Sequence, residues 1–180
     1  MIETDEGPAL FDTGPASALD GLIRSLEKAG ISPKDVRHVF VTHIHLDHAG
    51  AAWWFARQGA KVYAHVKAVP HLADPFRLWS SVKRLYGSMA ETLWGEIHPV
   101  PYSNLRVLGD NEQVSLGDVN IIALDTPGHA IHHLAYMVDG AVICGDIGGV
   151  RFNKGPAIPP CPPPDINIKD WIHSIERLSA

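Results

Sequence analysis

Apolar and polar positions in the first third of the chain follow two patterns in turn, one with the spacing of strands and one with the spacing of helices. The apolar run PALFDTG predicts a short strand that ends in a turn. The next segment, PASALDGLIRSLEKAG, has apolar residues at helical spacing and ends at Gly30, which predicts an amphipathic helix. Two further apolar runs, VRHVFVT and KVYAH, flank the helical pattern AGAAWWFARQG. This order predicts a βαβαβ unit with buried strands.

The pattern changes after the third predicted strand. From about residue 66 to residue 101 the spacing is helical and aromatic residues are frequent, so we predict a helical cap inserted between strands. The segments EQVSLGDVNIIALDTPGH and HLAYMVDGAVICGD place Gly-Asp and Asp-Gly pairs between apolar runs, which is typical of antiparallel hairpins. A proline-rich loop, GPAIPPCPPPD, and the helical pattern INIKDWIHSIERLS follow. The predicted class is α/β (α+β).

The length, composition and charge of the chain limit the number of domains and the expected partners. A chain of 180 residues with 46% hydrophobic content fits one domain, 1–180, with the cap as an insertion. Fifteen basic and twenty acidic residues give a net charge of −5 without a basic stripe, so nucleic acid is not an expected partner. The acidic start lacks a signal-peptide pattern and no apolar span is long enough for a bilayer, which predicts a cytoplasmic protein without membrane contact. Eleven histidines are the unusual feature.

Several residues that can bind a metal are concentrated in the stretch VTHIHLDHAG, directly after a predicted strand. They are His43, His45, Asp47 and His48. Imidazole and carboxylate are ligands of zinc and other first-row metals, and four ligands in one short segment are more than one ion needs. His129 in LDTPGHA and Asp146 in ICGDIGG follow later predicted strands, in loops whose glycines permit close approach. The pattern therefore predicts a metal centre with two neighbouring positions.

The motif HIHLDH resembles the signature HxHxDH of the metallo-β-lactamase superfamily. LFDTG before it, and TPGHA and GD after it, resemble the supporting motifs in the family's order, so the resemblance covers most of the chain. The chain is similar to the glyoxalase II-like branch. The resemblance implies an αββα sandwich with a dinuclear metal site at one edge of the two sheets. It begins at the family's second strand and stops soon after Asp146, which implies a domain that is incomplete at both ends.

The resemblance also implies a role for each candidate ligand. One ion would be held by His43, His45 and His129. The second ion would be held by Asp47 and His48, and Asp146 would bridge the two ions. Asp12 would orient one of the ligands without touching a metal. Two divalent ions are implied, with zinc favoured over iron or manganese.

The final ligand of the family, a histidine near the C-terminus, has no counterpart in this chain. The only histidine after Asp146 is His173, which lies in the last predicted helix. At about 100° per residue it projects opposite the predicted apolar stripe of that helix. The residues of the stripe are Ile168, Trp171, Ile172, Ile175 and Leu178. We therefore expect His173 to face solvent.

The chemistry implied by such a centre is hydrolysis. Two ions roughly 3.5 to 4 Å apart would share a bridging water and lower its pKa, so that a metal-bridged hydroxide becomes the nucleophile. One ion would polarise the substrate carbonyl or phosphoryl oxygen, and no Ser or Cys nucleophile would be needed. Asp47 is placed to orient the hydroxide and to hand a proton to the leaving group. The prediction is a dinuclear metal-dependent hydrolase with Asp47 as a catalytic residue.

The substrate is less closely specified. The family's β-lactamases usually carry Cys at the position of Asp146, and its flavodiiron branch carries Glu at the position of His45, so neither antibiotic hydrolysis nor a redox role is favoured. An ester, thioester or lactone of a small, partly apolar molecule fits the aromatic, mostly uncharged cap, in which we expect at least one of Trp79, Tyr86 and Trp94 to face the metals. Two alternatives stay open: a phosphodiesterase acting on nucleic acid, and a metal-binding but inactive remnant or module.

Three further interpretations stay open. Asp146 could instead be a turn residue, since Gly-Asp pairs form turns. His132, His133 and Tyr86 are candidates for contacts with a ligand or the substrate. Adjacent residues in a strand point to opposite faces, so at most one of the two histidines can face the metals. The absent N-terminal strand of the family would leave an unpaired sheet edge that a second copy could fill, which makes a homo-oligomer an alternative to a monomer.

Overall fold

Two four-stranded sheets form the centre of the molecule in the computed structural model, which describes residues 1–162 and 165–179. The strands of the first sheet are β1 (Ala9–Phe11), β2 (His38–Phe40), β3 (Lys61–His65) and β4 (Leu105–Leu108). Those of the second are β5 (Gln113–Leu116), β6 (Val119–Asp125), β7 (Leu134–Val138) and β8 (Ala141–Ile143). A separate antiparallel pair is formed by β9 (Val150–Arg151) and β10 (Ala157–Ile158).

In both sheets the spatial order of the strands follows the order in the chain. All pairs of the first sheet are parallel, as the predicted βαβαβ unit requires. All pairs of the second sheet are antiparallel, which confirms the predicted hairpins. Asp139 and Gly140 join β7 to β8 with φ angles of 50° and 76°, and two positive φ angles in a two-residue loop are the geometry that the Asp-Gly pair favours.

The helices lie between strands of the first sheet and at the end of the chain. They are α1 (Leu19–Lys28), α2 (Leu46–Ala49), α3 (Ala52–Arg57), α4 (Val69–Ala73), α5 (Phe76–Tyr86), α6 (Ala90–Trp94) and α7 (Ile168–Ser179). Beyond α1, Gly30 adopts a φ of 79° and its amide donates to the Glu27 carbonyl at 2.9 Å. This left-handed residue ends the first helix where the sequence predicts.

An apolar core lies between the two sheets. Residues that alternate along each strand point into it, and its buried members are Ala9, Phe40, Tyr63, Leu108, Leu116, Ile121, Ala123, Leu134, Tyr136 and Val138. Phe40 stacks on Tyr63 with ring centroids 4.4 Å apart and meets Tyr136 edge-on at 5.4 Å. The buried hydroxyl of Tyr136 donates to the Val41 carbonyl at 2.7 Å. The core therefore holds the end of β2, from which the histidine motif starts.

A second core lies on the other face of the first sheet. Val39 and Val62 of the central strands pack there with Leu26 of α1, Phe55 of α3 and Leu72 of α4. The strands β2 and β3 are thus covered on both faces, which explains their almost continuous apolar sequence. The resulting layers, helices on one sheet and that sheet on another, confirm the predicted α/β sandwich.

The segment between β3 and β4 is helical, as its spacing predicts. The helices α4, α5 and α6 follow one another there. Val82 of α5 and Ala90 of α6 form a small buried cluster with Leu46, which is the residue directly before Asp47. The predicted cap therefore packs against the short helix that carries the second half of the histidine motif.

Three features of the fold differ from the sequence predictions. Strand β4 and the pair β9–β10 were not predicted, and β10 lies in the segment predicted as a proline-rich loop. Pro163 and Pro164 of that loop lie outside the described residues. The predicted apolar stripe of α7 is wrong, because Trp171 is buried while Ile168, Ile172 and Ile175 are 70%, 51% and 46% exposed.

The contacts of α7 explain that difference. Ser174 Oγ donates to the Pro127 carbonyl at 2.7 Å, and Trp171 Nε1 donates to the Ile147 carbonyl at 3.0 Å. The helix thus packs on loops of the second sheet through Trp171 and Ser174 and not through its isoleucines. His173 is exposed, as predicted.

The free edge of the first sheet is partly covered by the chain itself. Ile2 and Ala9 form an antiparallel bridge with two backbone hydrogen bonds of 2.9 Å. Self-association through this edge stays a prediction. Across the described ranges 1–162 and 165–179, the helices are all too short or too polar to cross a bilayer.

Candidate metal centre

The predicted ligands come from three loops that meet at one edge of the two sheets. The first loop runs from the end of β2 into α2, the second follows β6, and the third is the 3-10 turn Gly145–Gly148 after β8. In that order the loops carry His43, His45, Asp47 and His48, then His129, then Asp146. Residues that are up to about a hundred positions apart in the chain are thereby brought together, as the sequence predicts.

Four of these side chains form a first group, which consists of His43, His45, His129 and Asp146. The Nε2 atom of His129 lies 3.1 Å from Nε2 of His43 and 2.9 Å from Nδ1 of His45. It lies 3.2 Å from Oδ2 of Asp146. Ligand atoms about 2.0 Å from a tetrahedral ion are roughly 3.3 Å apart, so the first group has the spacing of a zinc site.

The hydrogen bonds around the first group determine which nitrogens carry protons. His129 Nδ1 lies 2.9 Å from the Pro160 carbonyl, which can only accept, so His129 donates there and its Nε2 has a free lone pair. The Thr42 hydroxyl donates to the Asp12 carboxylate at 2.8 Å. The same hydroxyl oxygen must therefore accept from His43 Nδ1 at 3.0 Å, which leaves Nε2 of His43 with a free lone pair as well.

Two free lone pairs therefore face each other across the first group. They belong to Nε2 of His43 and Nε2 of His129, which are 3.1 Å apart without a proton between them. Such an arrangement is repulsive unless a cation lies at the point where the lone pairs converge. The donor set of imidazole nitrogens and carboxylate oxygen is the one that zinc and related divalent metals prefer. The residues present therefore fit a metal ion.

Asp146 also belongs to a second group, which consists of Asp47, His48 and Asp146. Its Oδ1 atom lies 3.1 Å from Nε2 of His48, while its Oδ2 atom faces His129 of the first group. Asp47 Oδ2 lies 3.6 Å from the same nitrogen of His48. The two carboxylate oxygens of Asp146 thus point into two neighbouring positions, which is the geometry of a bridging ligand.

Asp12 holds the histidine motif in place from the loop after β1. Its Oδ1 accepts the Thr42 amide at 2.7 Å, and its Oδ2 lies 2.8 Å from Nδ1 of His48. Because a carboxylate only accepts, His48 donates to Asp12 from Nδ1, and Nε2 is the nitrogen that faces the second group. Asp12 has a φ of 55°, a left-handed conformation that Asp tolerates better than most residues. Its predicted position behind the ligands agrees with this arrangement.

Burial and neighbouring charges set the protonation of the histidines. Burial, then the charges of neighbouring histidines, lowers the pKa of His43 well below its usual value and that of His45 to about 4. Burial also lowers the pKa of His129. Burial also lowers the pKa of His48, but the hydrogen bonds and the negative charges of Asp12 and Asp146 outweigh it and raise that pKa to about 10. The imidazole rings of the first group are therefore neutral at pH 7, which is the form that binds a metal cation.

His132 and His133 both lie beside His43, with ring centroids 6.3 Å and 5.2 Å from it. The strand-alternation argument does not apply, because both residues precede β7 and lie in a turn region. Of the two, His132 lines the cavity in front of the ligands. His133 is enclosed, with Nδ1 2.8 Å from the Thr126 hydroxyl, and a Cβ at Gly145 would lie 2.6 Å from its Nε2. Glycine before Asp146 thus permits the close approach of that loop.

A cavity of about 480 Å³ opens in front of both groups. His45, Asp47, His132 and Asp146 are among the residues that line it. The cap supplies much of the remaining wall, and the aromatic residues that line it are Tyr86 and Trp94. Trp79 packs in the small cap cluster instead. Tyr86 and Trp94 thus share a cavity with the candidate ligands, and the orientation of at least one aromatic residue toward the metals stays a prediction.

Several residues that shape the site were not predicted. The Pro160 carbonyl orients His129 from the proline-rich segment, and the Thr42 hydroxyl orients His43. Trp171 of α7 packs edge-on against His129, with ring centroids 5.4 Å apart. A backbone carbonyl gives no residue-type signal in the sequence, whereas the Thr directly before the histidine motif could have been considered as a hydrogen-bonding partner.

The facing sheets and the His/Asp cluster at their edge define an α/β domain with candidate ligands for divalent metal ions. The chain belongs to the metallo-beta-lactamase superfamily, whose family model matches residues 1–179. The fold is also that of a metallo-beta-lactamase family protein from Thermus thermophilus, TTHA1429, with a TM-score of 0.76 and 26% identity over 99% of this chain and 63% of that one. Members of this superfamily bind divalent metals.

The sequence of the chain is also similar to those of curated proteins. An N-acyl homoserine lactonase of Bacillus thuringiensis is 32% identical over 163 residues, which are 77% of this chain and 56% of the relative. A hydroxyacylglutathione hydrolase of Shewanella sp. (strain ANA-3) is 28% identical over 150 residues, which are 81% of this chain and 46% of the relative. The chain thus spans about half the length of these relatives.

Proposed function

We propose that the chain is a metal-dependent hydrolase that cleaves an ester, thioester or lactone bond in a small, partly apolar substrate. The observation that carries this proposal is the pair of unprotonated nitrogens of His43 and His129, 3.1 Å apart and beside the divided carboxylate of Asp146. This donor arrangement opens into a cavity large enough for a small molecule. A metal centre that faces a cavity is the arrangement that hydrolysis requires.

The ligand groups would hold two divalent ions, of which zinc fits the donor set best. The first group would hold one ion, and the second group would hold the other through Asp47, His48 and the shared Asp146. Bound there, such ions supply a water activated as nucleophile and polarise the carbonyl oxygen of the substrate. Asp12 would keep the His48 ring oriented, because it accepts the proton on Nδ1.

Asp47 is the residue best placed to move a proton. Its side chain is 50% exposed and lines the cavity, whereas the side chain of Asp146 is 19% exposed and is shared by both groups. A carboxylate that reaches both a metal position and the cavity can orient a water molecule and then pass a proton to the leaving group. We assign that role to Asp47.

The walls of the cavity support an acyl substrate. Apolar side chains of the cap and of the loop after β6 line it, namely Leu78, Val82, Leu85, Trp94 and Ile131. A relative named N-acyl homoserine lactonase and another named hydroxyacylglutathione hydrolase support a lactone or an acyl thioester as the scissile group. A small-molecule substrate is thus favoured over a nucleic acid, which would require a continuous basic groove.

The competing proposal is a metal-binding module without activity. The test is to measure the metal content of the purified protein and its hydrolysis of 4-nitrophenyl butanoate in the same preparation. About two ions per chain, with turnover that a chelator removes and zinc restores, supports the hydrolase. Bound metal without turnover of this ester or of an acyl thioester and a lactone supports the inactive module.

The two ions are expected to leave in two steps when a chelator is added. The first group offers four ligand side chains and the second offers three, one of which is shared. Fewer ligands give weaker binding, so the ion of the second group should be released first. The measurement is a chelator titration with a zinc indicator. His173→Ala should change neither step, because His173 is exposed on α7; simultaneous release of both ions would contradict the prediction.

A further inference from the structure

Two basic side chains line the cavity in front of the metal ligands. Lys67 lies just after β3, and Arg77 lies in the first turn of α5. They share the cavity with the candidate ligands His45 and Asp146. The cap is therefore not a purely apolar wall, although the sequence predicts a mostly uncharged insertion.

Neither cation forms an ion pair within the part of the chain that the structure describes. Among residues 1–162 and 165–179, the ion pairs made by Lys or Arg are Lys83–Glu91 and Arg177–Asp110. Lys67 and Arg77 thus have no carboxylate partner in the described part of the chain. Helix stability does not account for Arg77 either, because a cation in the first turn of a helix is unfavourable to the helix dipole.

Two other basic residues of the chain make contacts typical of a structural role. Arg57 lies over the ring of Trp53 at 4.6 Å, and Arg106 donates to the Ser103 carbonyl at 3.0 Å. In contrast, the contact that fixes the position of Lys67 is made by its backbone amide, which donates to Nδ1 of His65 at 3.1 Å. The backbone is thus held while the ammonium group stays available to a ligand.

Carboxylates line the cavity together with the two cations. Its carboxylates are Asp47, Asp146 and Asp165, and two of them belong to the ligand groups. Leu78 and Val82 of α5 line the same cavity as Arg77, so a substrate whose carbonyl lies at the ligand groups would meet apolar and cationic side chains in one cavity. A substrate that carries both an apolar part and a negative charge matches that combination of side chains.

We propose that the substrate of this site carries an oxyanion group on its apolar part, away from the scissile carbonyl, and that Lys67 and Arg77 bind that group. This inference rests on the proposed function for the position of the scissile bond. Arg binds an oxyanion through its planar fork of donors and Lys through a single ammonium group. The preferred substrate class is thus an anionic acyl ester, thioester or lactone, and an uncharged acyl compound is a poorer substrate.

Equilibrium binding to the metal-loaded protein tests the proposal without depending on turnover. The probes are hexane-1-sulfonate, which is permanently anionic, and hexan-1-ol, which has the same alkyl chain without the charge. We expect isothermal titration to give a dissociation constant for the sulfonate at least about tenfold lower than for the alcohol. A change of tryptophan fluorescence on binding that Trp94→Phe removes would locate the probe in the cavity, because Trp94 lines it.

Substitution of each cation should reduce that preference. Arg77→Gln and Lys67→Gln each keep a polar side chain while removing the charge, and glutamine also keeps the helical propensity of position 77 in α5. Each substitution should lower the preference for the sulfonate over the alcohol severalfold. The matched control is Arg84→Gln in the same helix, because Arg84 does not line the cavity and its nearest polar contact is Ser81. Arg84→Gln should keep the preference of the parent.

The outcomes separate this proposal from the proposed function. A parent protein without preference for the sulfonate, or a preference that survives both Arg77→Gln and Lys67→Gln, overturns the inference even if esters are hydrolysed. A preference that depends on the two cations, in a protein that hydrolyses none of the acyl substrates, supports the oxyanion site and overturns the hydrolase.

Discussion

Replacing His129 with alanine is expected to lower kcat/KM for an activated ester by at least about a thousandfold and to remove the more tightly held metal ion. The Nε2 atom of His129 is close to three other ligand atoms of the first group, at 3.1, 2.9 and 3.2 Å. Its loss leaves two histidines and a carboxylate that the second group shares. The measurements are the metal content after dialysis and the kinetics of 4-nitrophenyl butanoate hydrolysis.

The control for this variant is His173→Ala. His173 is exposed on α7, so its loss tests whether removing any histidine affects metal content. Because His129 is fully buried and Trp171 packs on it, the near-UV circular dichroism of His129→Ala must also be compared with that of the parent. A folded His129→Ala protein that keeps the metal content and rate of the parent would show that His129 is only a structural histidine.

The histidine motif could be identified from the sequence because its ligands are local. His43, His45, Asp47 and His48 lie within one short segment, and the end of a buried strand followed by a helix brings such side chains to a sheet edge. The distant ligands His129 and Asp146 were found because they follow predicted strands at tight glycine-containing turns. Strand ends are therefore the sequence feature from which most of the candidate site could be predicted.

The elements that were not predicted depend on long-range contacts. Strand β4 has four residues, of which Arg106 and Val107 are exposed, so neither an alternating pattern nor a continuous apolar run marks it. It is a strand because it pairs with β3, more than forty positions earlier. In α7, the packed face is decided by the loop at Pro127 and Gly128, since Ser174 bonds to Pro127 and a Cβ at Gly128 would collide with Trp171.

The two cations that line the cavity are a further feature that could not be predicted from the sequence pattern. Lys67 and Arg77 are ten positions apart and lie on either side of α4, so neither periodicity nor a basic cluster connects them. The folded chain brings both to one cavity with the candidate ligands. Which cations face a site is thus a property of the tertiary structure, even where the ligands themselves are evident in the sequence.

Asp47→Asn is expected to lower kcat by roughly a hundredfold to a thousandfold while the free energy of unfolding changes by less than about 0.5 kcal/mol. Asparagine keeps the size of the side chain and one oxygen, but its amide cannot accept and return a proton. The small effect on stability follows from the 50% exposure of the Asp47 side chain. The measurements are single-substrate kinetics, metal content and urea denaturation.

Two comparisons separate proton transfer from metal binding in this variant. If Asp47 moves a proton, the rate with an ester of a poor leaving group should fall more than the rate with 4-nitrophenyl butanoate, because the nitrophenolate leaves without protonation. If Asp47 acts only as a ligand, both rates should fall in parallel with metal content. The matched control is Asp139→Asn, an exposed turn residue with a φ of 50° that asparagine also tolerates. Rates equal to those of the parent with both esters would make Asp47 a structural residue of α2 and remove it from the proposed mechanism.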